Sequence, residues 1–171
     1  MKEQTLINII KNQTGDEYIG DDCAYLKDLG IVVTQDSLVE DVHFKLTWCT
    51  PSQLGYKAVT VNISDVLASG AEPKYITIAL SLPASIDENF VEEFYKGAKS
   101  ALRGAKIIGG DITGSDKVFI SITAIGTTKG RKISSRKNAK IGDVVITKGE
   151  FGKSALGLKE LKNGGKNLEL I

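Results

Sequence analysis

Apolar residues recur along this chain with two different periods, and the points where the period changes mark its elements. Leu6, Ile7, Ile9 and Ile10 fall at helical spacings with no breaker among them, which predicts a short helix over 2–11. The β-branched run Ile31-Val32-Val33-Thr34 predicts a strand, and the polar, acidic stretch 35–43 after it reads as loop. Thr50-Pro51 supplies an N-cap and a first-turn proline for a helix that Gly70 and Pro73 close. From 74 to 82, Tyr75, Thr77, Ala79 and Ser81 alternate with Ile76, Ile78, Leu80 and Leu82, the period of a half-buried strand, and Pro83 stops it. Asp87 caps a third helix running to about 103, with Phe90, Phe94 and Ala98 among its inward positions and Gly104 behind it. Residues 106–108 form a short strand entering Gly109-Gly110-Asp111, 118–125 alternate as another, 144–147 predict one more, and 154–162 a final helix. Strands and helices without a strict βαβ rhythm predict an α+β fold, a mixed sheet flanked by helices.

Composition adds boundaries to this picture. With 171 residues, 42% of them hydrophobic, the chain can build a packed core. No apolar run approaches the ~20 residues of a membrane span. Glu3, Gln4, Asn8 and Lys11 interrupt the first dozen residues, which therefore lack the apolar core of a signal peptide, and the expectation is a cytoplasmic protein. Cys23 and Cys49 have neither the number nor the spacing of a disulfide framework or zinc site and read as free thiols. The net charge of +1 hides an asymmetry. Residues 1–130 carry 12 basic against 17 acidic side chains, while 131–171 carry 10 against 4. An acidic body with a basic C-terminal strip argues against nucleic-acid binding, which needs a basic face on the folded domain. It suits a body that collects cations and a strip that meets anions. The expected organisation is one domain over 1–130, then a linker and the opening strand and helix of a second domain over 131–171, too short to form a core alone.

The candidate chemistry is acidic. Asp65 lies on the 51–68 helix in a stripe with Leu54, Ala58, Val61 and Ala68, while Tyr56, Val59, Ile63 and Leu67 form an apolar stripe opposite, so the helix reads as buried on two faces with a carboxylate in one. A buried carboxylate near a helix C-terminus needs a positive partner, either Lys or Arg or a metal ion shared with other carboxylates. Asp22 beside Asp21, Asp36 at a predicted strand end and Asp111 after two glycines are ordinary turn-formers one by one. As a set of oxygen donors without a His or Cys cluster they suit Mg²⁺, completed by substrate phosphates. Gly109 and Gly110 would let backbone approach a phosphate. His43, the only histidine, has no serine or cysteine partner for a base role. It suits a hydrogen bond to substrate or a solvated loop. Gly149-Glu150-Phe151-Gly152-Lys153-Ser154 has two residues between its glycines where a P-loop needs four, with Thr147 at the first glycine's place, and reads as a tight turn.

Taken in order, Gly20-Asp21-Asp22-Cys23-Ala24, Thr34-Gln35-Asp36-Ser37-Leu38-Val39 through His43-Phe44, Gly55-Tyr56-Lys57-Ala58, Val61-Asn62-Ile63-Ser64-Asp65 and Gly109-Gly110-Asp111 resemble the thiamine-monophosphate kinases of the aminoimidazole-ribonucleotide-synthetase superfamily, from about 18 to 160. The resemblance implies transfer of the γ-phosphoryl group of ATP to thiamine monophosphate, giving thiamine diphosphate and ADP. It implies that Asp22, Thr34, Gln35, Asp36, Asp65 and Asp111 hold several Mg²⁺ ions on the ATP phosphates, some through backbone oxygens. Gly110, Asp111 and Tyr95 would contact the nucleotide, Arg136 its phosphates, and His43 the acceptor. No general base is required, because a phosphate nucleophile is already anionic near neutral pH, its second pKa lying near ~6. The implied assembly is a homodimer formed through the sheet, with a second α/β domain covering the site. Gln35 stands where the family has threonine, a change that a backbone ligand survives and a hydroxyl ligand does not. The family's second domain carries further metal, ATP and acceptor contacts that this sequence does not reach. Alternatives are another ATP-using member of the superfamily, such as a selenide water dikinase or a purine-pathway synthetase, and a non-catalytic nucleotide-binding or dimerisation module. The dikinase's reactive N-terminal cysteine in a glycine-rich loop is missing from this sequence.

Overall fold

A computed structural model of the chain describes residues 2–15 and 17–165. The element order is α1 (Glu3–Thr14), β1 (Ala24–Leu26), β2 (Ile31–Val39), α2 (Pro51–Ala68), β3 (Glu72–Leu82), α3 (Glu88–Ser100), β4 (Lys106–Gly114), β5 (Phe119–Thr127), a 3-10 turn (Arg136–Asn138) and α4 (Lys153–Lys162). Five strands form one mixed sheet in the order β1-β2-β5-β3-β4, antiparallel except for the β3–β4 pair, so the fold is α+β as the pattern predicts.

Alternation along the strands sorts the sheet into two faces. Val32, Thr34 and Leu38 of β2, Ile120, Ile122 and Ala124 of β5, and Ile76, Ile78 and Leu80 of β3 are buried under α2 and the helix packed on it, α3. The other face carries Gln35 and Ser37 of β2, Ser121 and Thr123 of β5, and Thr77, Ala79 and Ser81 of β3, and these two helices leave it uncovered. Pairing of polar groups on that face explains why β2 does not stop at Thr34. Gln35 Nε2 donates to Ser121 Oγ at 2.9 Å, and Ser37 Oγ donates to the same oxygen at 3.0 Å. The residues read as loop from 35 onward are therefore strand as far as Val39, in unbroken register with β5. Likewise β4 runs through Gly109-Gly110-Asp111 to Gly114, so Asp111 lies within a strand rather than after one.

α2 begins as its sequence dictates: Thr50 Oγ1 accepts from the Gln53 amide at 3.2 Å while the Gln53 side chain accepts from the Thr50 amide at 2.9 Å, a reciprocal cap. Its burial corrects the two-faced reading. Leu54, Gly55, Ala58, Val59, Asn62, Ile63 and Val66 form one buried stripe, whereas Tyr56 and Leu67 are 48% and 45% exposed. Asp65 flanks that stripe. α2 and α3 meet through two glycines: a Cβ on Gly55 would stand 2.0 Å from the Phe94 carbonyl oxygen, and one on Gly97 1.8 Å from that of Ser52. Backbone touches backbone at this crossing.

The chain divides into two compact units, Met1–Asn138 and Ala139–Ile171. The first holds the whole sheet, and its tail is tied back where the Ser134 amide donates to the Ser69 carbonyl at 3.1 Å. In the second, α4 is the regular element among the described residues. The β-branched run 144–147 forms no strand there, because no described segment pairs with it, and Val144, Val145 and Ile146 are 82–89% exposed. α4 starts at Lys153 behind Gly152, a helix start with no preceding strand and no long phosphate-wrapping loop. No helix among the described residues is long and apolar enough to cross a membrane.

Candidate functional site

Three of the four singled-out carboxylates stand at one corner of the first unit, where β2, α2 and the segment before β1 meet. Thr34 and Asp36 alternate with Gln35 along β2 and face α2, and Thr34 Oγ1 donates to Asp65 Oδ2 at 3.0 Å. Asp36 is fixed from behind: its amide donates to Asn62 Oδ1 at 2.9 Å, and Asn62 Nδ2 donates to the Ala58 carbonyl at 3.0 Å. Asn62 is 1% exposed and both ends of its amide are used, so it welds β2 to α2 at the site. Sequence reading did not single it out. The available signal was an amide one turn before Asp65 on the buried stripe. Asn62→Ala is expected to orphan the Asp36 amide and to lower stability by about 1–3 kcal/mol, read by urea unfolding against wild type.

Asp22 enters this corner from the loop before β1, with Arg136 Nη2 bonded to its Oδ1. Beside it, Asp21 accepts from the Arg136 amide at 3.3 Å and 3.4 Å. Burial raises Asp21, but hydrogen bonds from Ser135 and from the Asp22 and Arg136 amides, with the Arg136 charge, outweigh it and leave the carboxyl below its ordinary value. Asp65 goes the other way. Burial pushes its carboxyl up, the Thr34 hydroxyl and Arg136 pull it down, and the neighbouring charges of Asp36 and Asp22 raise it further, for a net upward shift. No ammonium or guanidinium is bonded to Asp65 among the described residues. The partner expected of a buried carboxylate is thus shared with Asp22, and the corner is short of positive charge.

The remaining sequence candidates lie apart from that corner. Gln35 points to the opposite, uncovered face, bonded to Ser121, so only its backbone can serve the Asp36 side. Asp111 stands in register with Ala79 on β4, separated from β2 by β5 and β3, three strand spacings or about 14 Å. Among the described residues no three carboxylate, imidazole or thiol side chains converge closely enough to form a ligand group. Gly110, Asp111 and Tyr95 do come together, with Ile78 and Ile112, around an open cleft of about 330 Å³ between β4 and α3. A Cβ on Gly110 would lie 1.8 Å from the Ile78 carbonyl oxygen, so only glycine fits there. His43 follows β2 in a tight loop: its Nδ1 accepts from the Val39 amide at 3.0 Å, and its carbonyl accepts from Lys57 Nζ at 2.9 Å. Lys57, on α2, is a second group that sequence reading left without a role. Cys23 and Cys49 are both free, with burial pushing each thiol up.

Comparison with known proteins places the fold. The chain is 38% identical over 160 residues to the thiamine-monophosphate kinase of Aquifex aeolicus, covering 91% of this chain and 51% of that protein. It is 39% identical over 158 residues to the Bacillus subtilis enzyme of the same name, covering 89% and 49%. The chain therefore spans about half the length of the curated relatives it matches. The solved structure of AaThiL complexed with AMPPCP and TMP superposes with a TM-score of 0.92 at 35% identity, over 98% of this chain and 56% of that one. Residues 20–128 match the family described as AIR synthase related protein, N-terminal domain. Those residues contain all five strands, α2, α3 and the acidic corner, and through them the chain belongs to the AIR synthase related protein family.

Proposed function

We propose that this chain is the ATP- and Mg²⁺-binding N-terminal part of a cytoplasmic thiamine-monophosphate kinase, acting as a homodimer. The observation that carries the reading is the corner of Asp22, Asp36 and Asp65, in which Asp22 holds the Arg136 guanidinium and Asp65 is driven up by burial and by the charges of Asp36 and Asp22. Hard oxygen donors short of positive charge fit Mg²⁺. Mg²⁺, when bound, neutralises the phosphate charge of ATP and holds the chain of phosphates for in-line transfer. The chain's own groups do the rest. The Thr34 hydroxyl occupies one oxygen of Asp65 and leaves the other free, Asn62 fixes Asp36, and Gln35 contributes through its backbone. The cleft at Tyr95, Gly110 and Asp111 receives the nucleotide, Arg136 pairs with its phosphates, and His43, locked by the Val39 amide, offers its other ring nitrogen to the acceptor. An acceptor phosphate is already anionic at neutral pH, so the site needs placement and charge neutralisation rather than a base. Two free cysteines suit a reducing compartment.

Asp111 enters this reading through a second copy. A single chain holds it about 14 Å from the acidic corner, whereas a twofold dimer built on the uncovered sheet face brings the β4 of one copy toward the β2 corner of the other.

Titration calorimetry with a non-hydrolysable ATP analogue tests the assignment. Binding is expected in Mg²⁺ and not in EDTA, with thiamine monophosphate coupled to it. Asp111→Asn is expected to abolish that binding with the fold intact, and unchanged binding would sink the metal assignment. Mixing Asp111→Asn with Asp36→Asn is expected to restore about a quarter of the nucleotide sites, since half the random dimers are mixed and each has one intact site. A mixture as inert as its components would refute the shared site.

A further inference from the structure

Arg136 is given to nucleotide phosphates in the reading above, yet in the structure its guanidinium is spent on Asp22, one of the carboxylates assigned to the cation. Its Nη2 is on Asp22 and its Nε lies 4.0 Å from Asp21, so the charge assigned to phosphate is held by carboxylates instead. The main chain shows how the conflict resolves. The Arg136 amide donates to both oxygens of Asp21, a main-chain contact separate from the 4.0 Å approach of the guanidinium Nε to the same carboxylate. Position 136 is therefore anchored by its backbone, and the side chain, 69% exposed, can change partner without moving the turn that bears it.

We infer that Arg136 is an exchangeable counter-charge: it holds Asp22 in the nucleotide-free chain, competes there with a divalent cation, and passes to phosphate oxygens when cation and nucleotide enter together. This rests on the acidic corner being the Mg²⁺ site. Asp22, Asp36 and Asp65 repel one another, and the guanidinium at Asp22 is the positive group bonded there among the described residues. A divalent cation arriving alone must displace that group into water, where nothing replaces its lost ion pair. Arriving with nucleotide, it displaces the guanidinium onto a phosphate, a stronger charge-assisted partner. Cation and nucleotide are then positively coupled, each raising the other's affinity by the same factor, with Arg136 as the coupling element. A lone cation is disfavoured by no more than this exposed ion pair is worth, and the site loads preferentially with the metal–nucleotide pair.

The consequence is a pair of opposite effects from one substitution. In Arg136→Gln, Mn²⁺ alone is expected to bind about threefold tighter by calorimetry or by electron paramagnetic resonance of free Mn²⁺, the worth of an exposed ion pair removed. The same variant is expected to bind the Mg²⁺ complex of a non-hydrolysable ATP analogue about tenfold more weakly. Arg131→Gln removes an equal charge from the same strip, but Arg131 faces Glu72 at 3.9 Å, and both affinities are expected to stay at the wild-type value. Mn²⁺ binding that is no tighter in Arg136→Gln overturns the exchange, and so does equal tightening in Arg131→Gln, the mark of a general field effect. A wild-type chain that binds neither Mn²⁺ nor the Mg²⁺–nucleotide complex overturns the parent reading and the exchange with it. Wild-type nucleotide binding without the opposite-sign response overturns the exchange alone.

Discussion

Gly97→Ala is expected to lower the stability of the first unit by about 3 kcal/mol, toward the upper end for overpacked sites, and to leave a measurable unfolded population at ambient temperature. The added methyl would sit 1.8 Å from the Ser52 carbonyl oxygen and 2.5 Å from its carbon, both backbone atoms near the start of α2. A flexible side chain could swing aside, but a helix backbone moves only as a whole. Accommodating the methyl means parting α2 from α3 and thinning the layer built on Phe94, Leu54 and Ala58. Gly55→Ala meets the Phe94 carbonyl oxygen at 2.0 Å and is expected to cost a similar amount. The double variant should cost clearly less than the sum, because either methyl alone already separates the helices. Gly114→Ala has nothing within 4 Å and an ordinary φ, and serves as the unaffected control. Urea unfolding followed by Trp48 fluorescence and far-ultraviolet circular dichroism measures all four, and a Gly97→Ala midpoint equal to that of Gly114→Ala would refute the backbone contact.

Asp65→Asn is expected to act in two directions at once. Loss of a carboxylate from the acidic corner should weaken Mg²⁺-dependent nucleotide binding by about 100-fold, at the upper end of what damage to a ligand's surroundings costs. Yet the metal-free variant should melt higher than wild type at neutral pH. The Asp65 carboxyl is raised in the folded chain by burial and by Asp36 and Asp22, so the native state holds its proton to higher pH than the unfolded one. Wild-type stability therefore falls as pH rises from the unfolded pKa through the folded one, and it stays lower above it. Asparagine keeps an oxygen for the Thr34 hydroxyl and carries no charge. The stability difference should vanish in acid, where both side chains are neutral, and open as pH rises through the folded pKa. Thermal melts in EDTA from acid to neutral pH read it directly. A variant less stable than wild type at neutral pH would mean that Asp65 already has a compensating partner.

Much of this architecture is legible in the sequence because local chemistry and tertiary packing agree there. Thr50, Pro51 and Gln53 start α2 in the way their side chains require, and the alternation of β3 and β5 matches their single buried face. Legibility fails where the reason for a residue lies on another strand. Gln35 and Ser37 read as loop because their polar partner, Ser121, is 80-odd positions away. Gly110 reads as a place where backbone approaches a phosphate, whereas its glycine is dictated by the β3 backbone beside it. Residues 144–147 have strand propensity and no described neighbour to pair with. At the site, the acidic set was visible as composition, but its division was not. Strand order sets Asp111 three strand spacings from Asp36, and alternation along β2 turns the Gln35 side chain from the carboxylates.

The place of β5 in the sheet has a consequence for how the chain comes into being. Among the described strands of the sheet it is the last made, yet it lies between β2 and β3 and pairs with both along their lengths. Val39 meets Phe119, so a nascent β2 waits for about 80 further residues before its central neighbour exists, roughly 4–16 s at ordinary rates of translation. During that interval β2 and β3 each leave a ribosome with an open hydrogen-bonding edge and an apolar face. The order of strands thus fixes a window in which a holdase can act on the emerging polypeptide, and that window shuts in one step when Thr127 clears the exit tunnel.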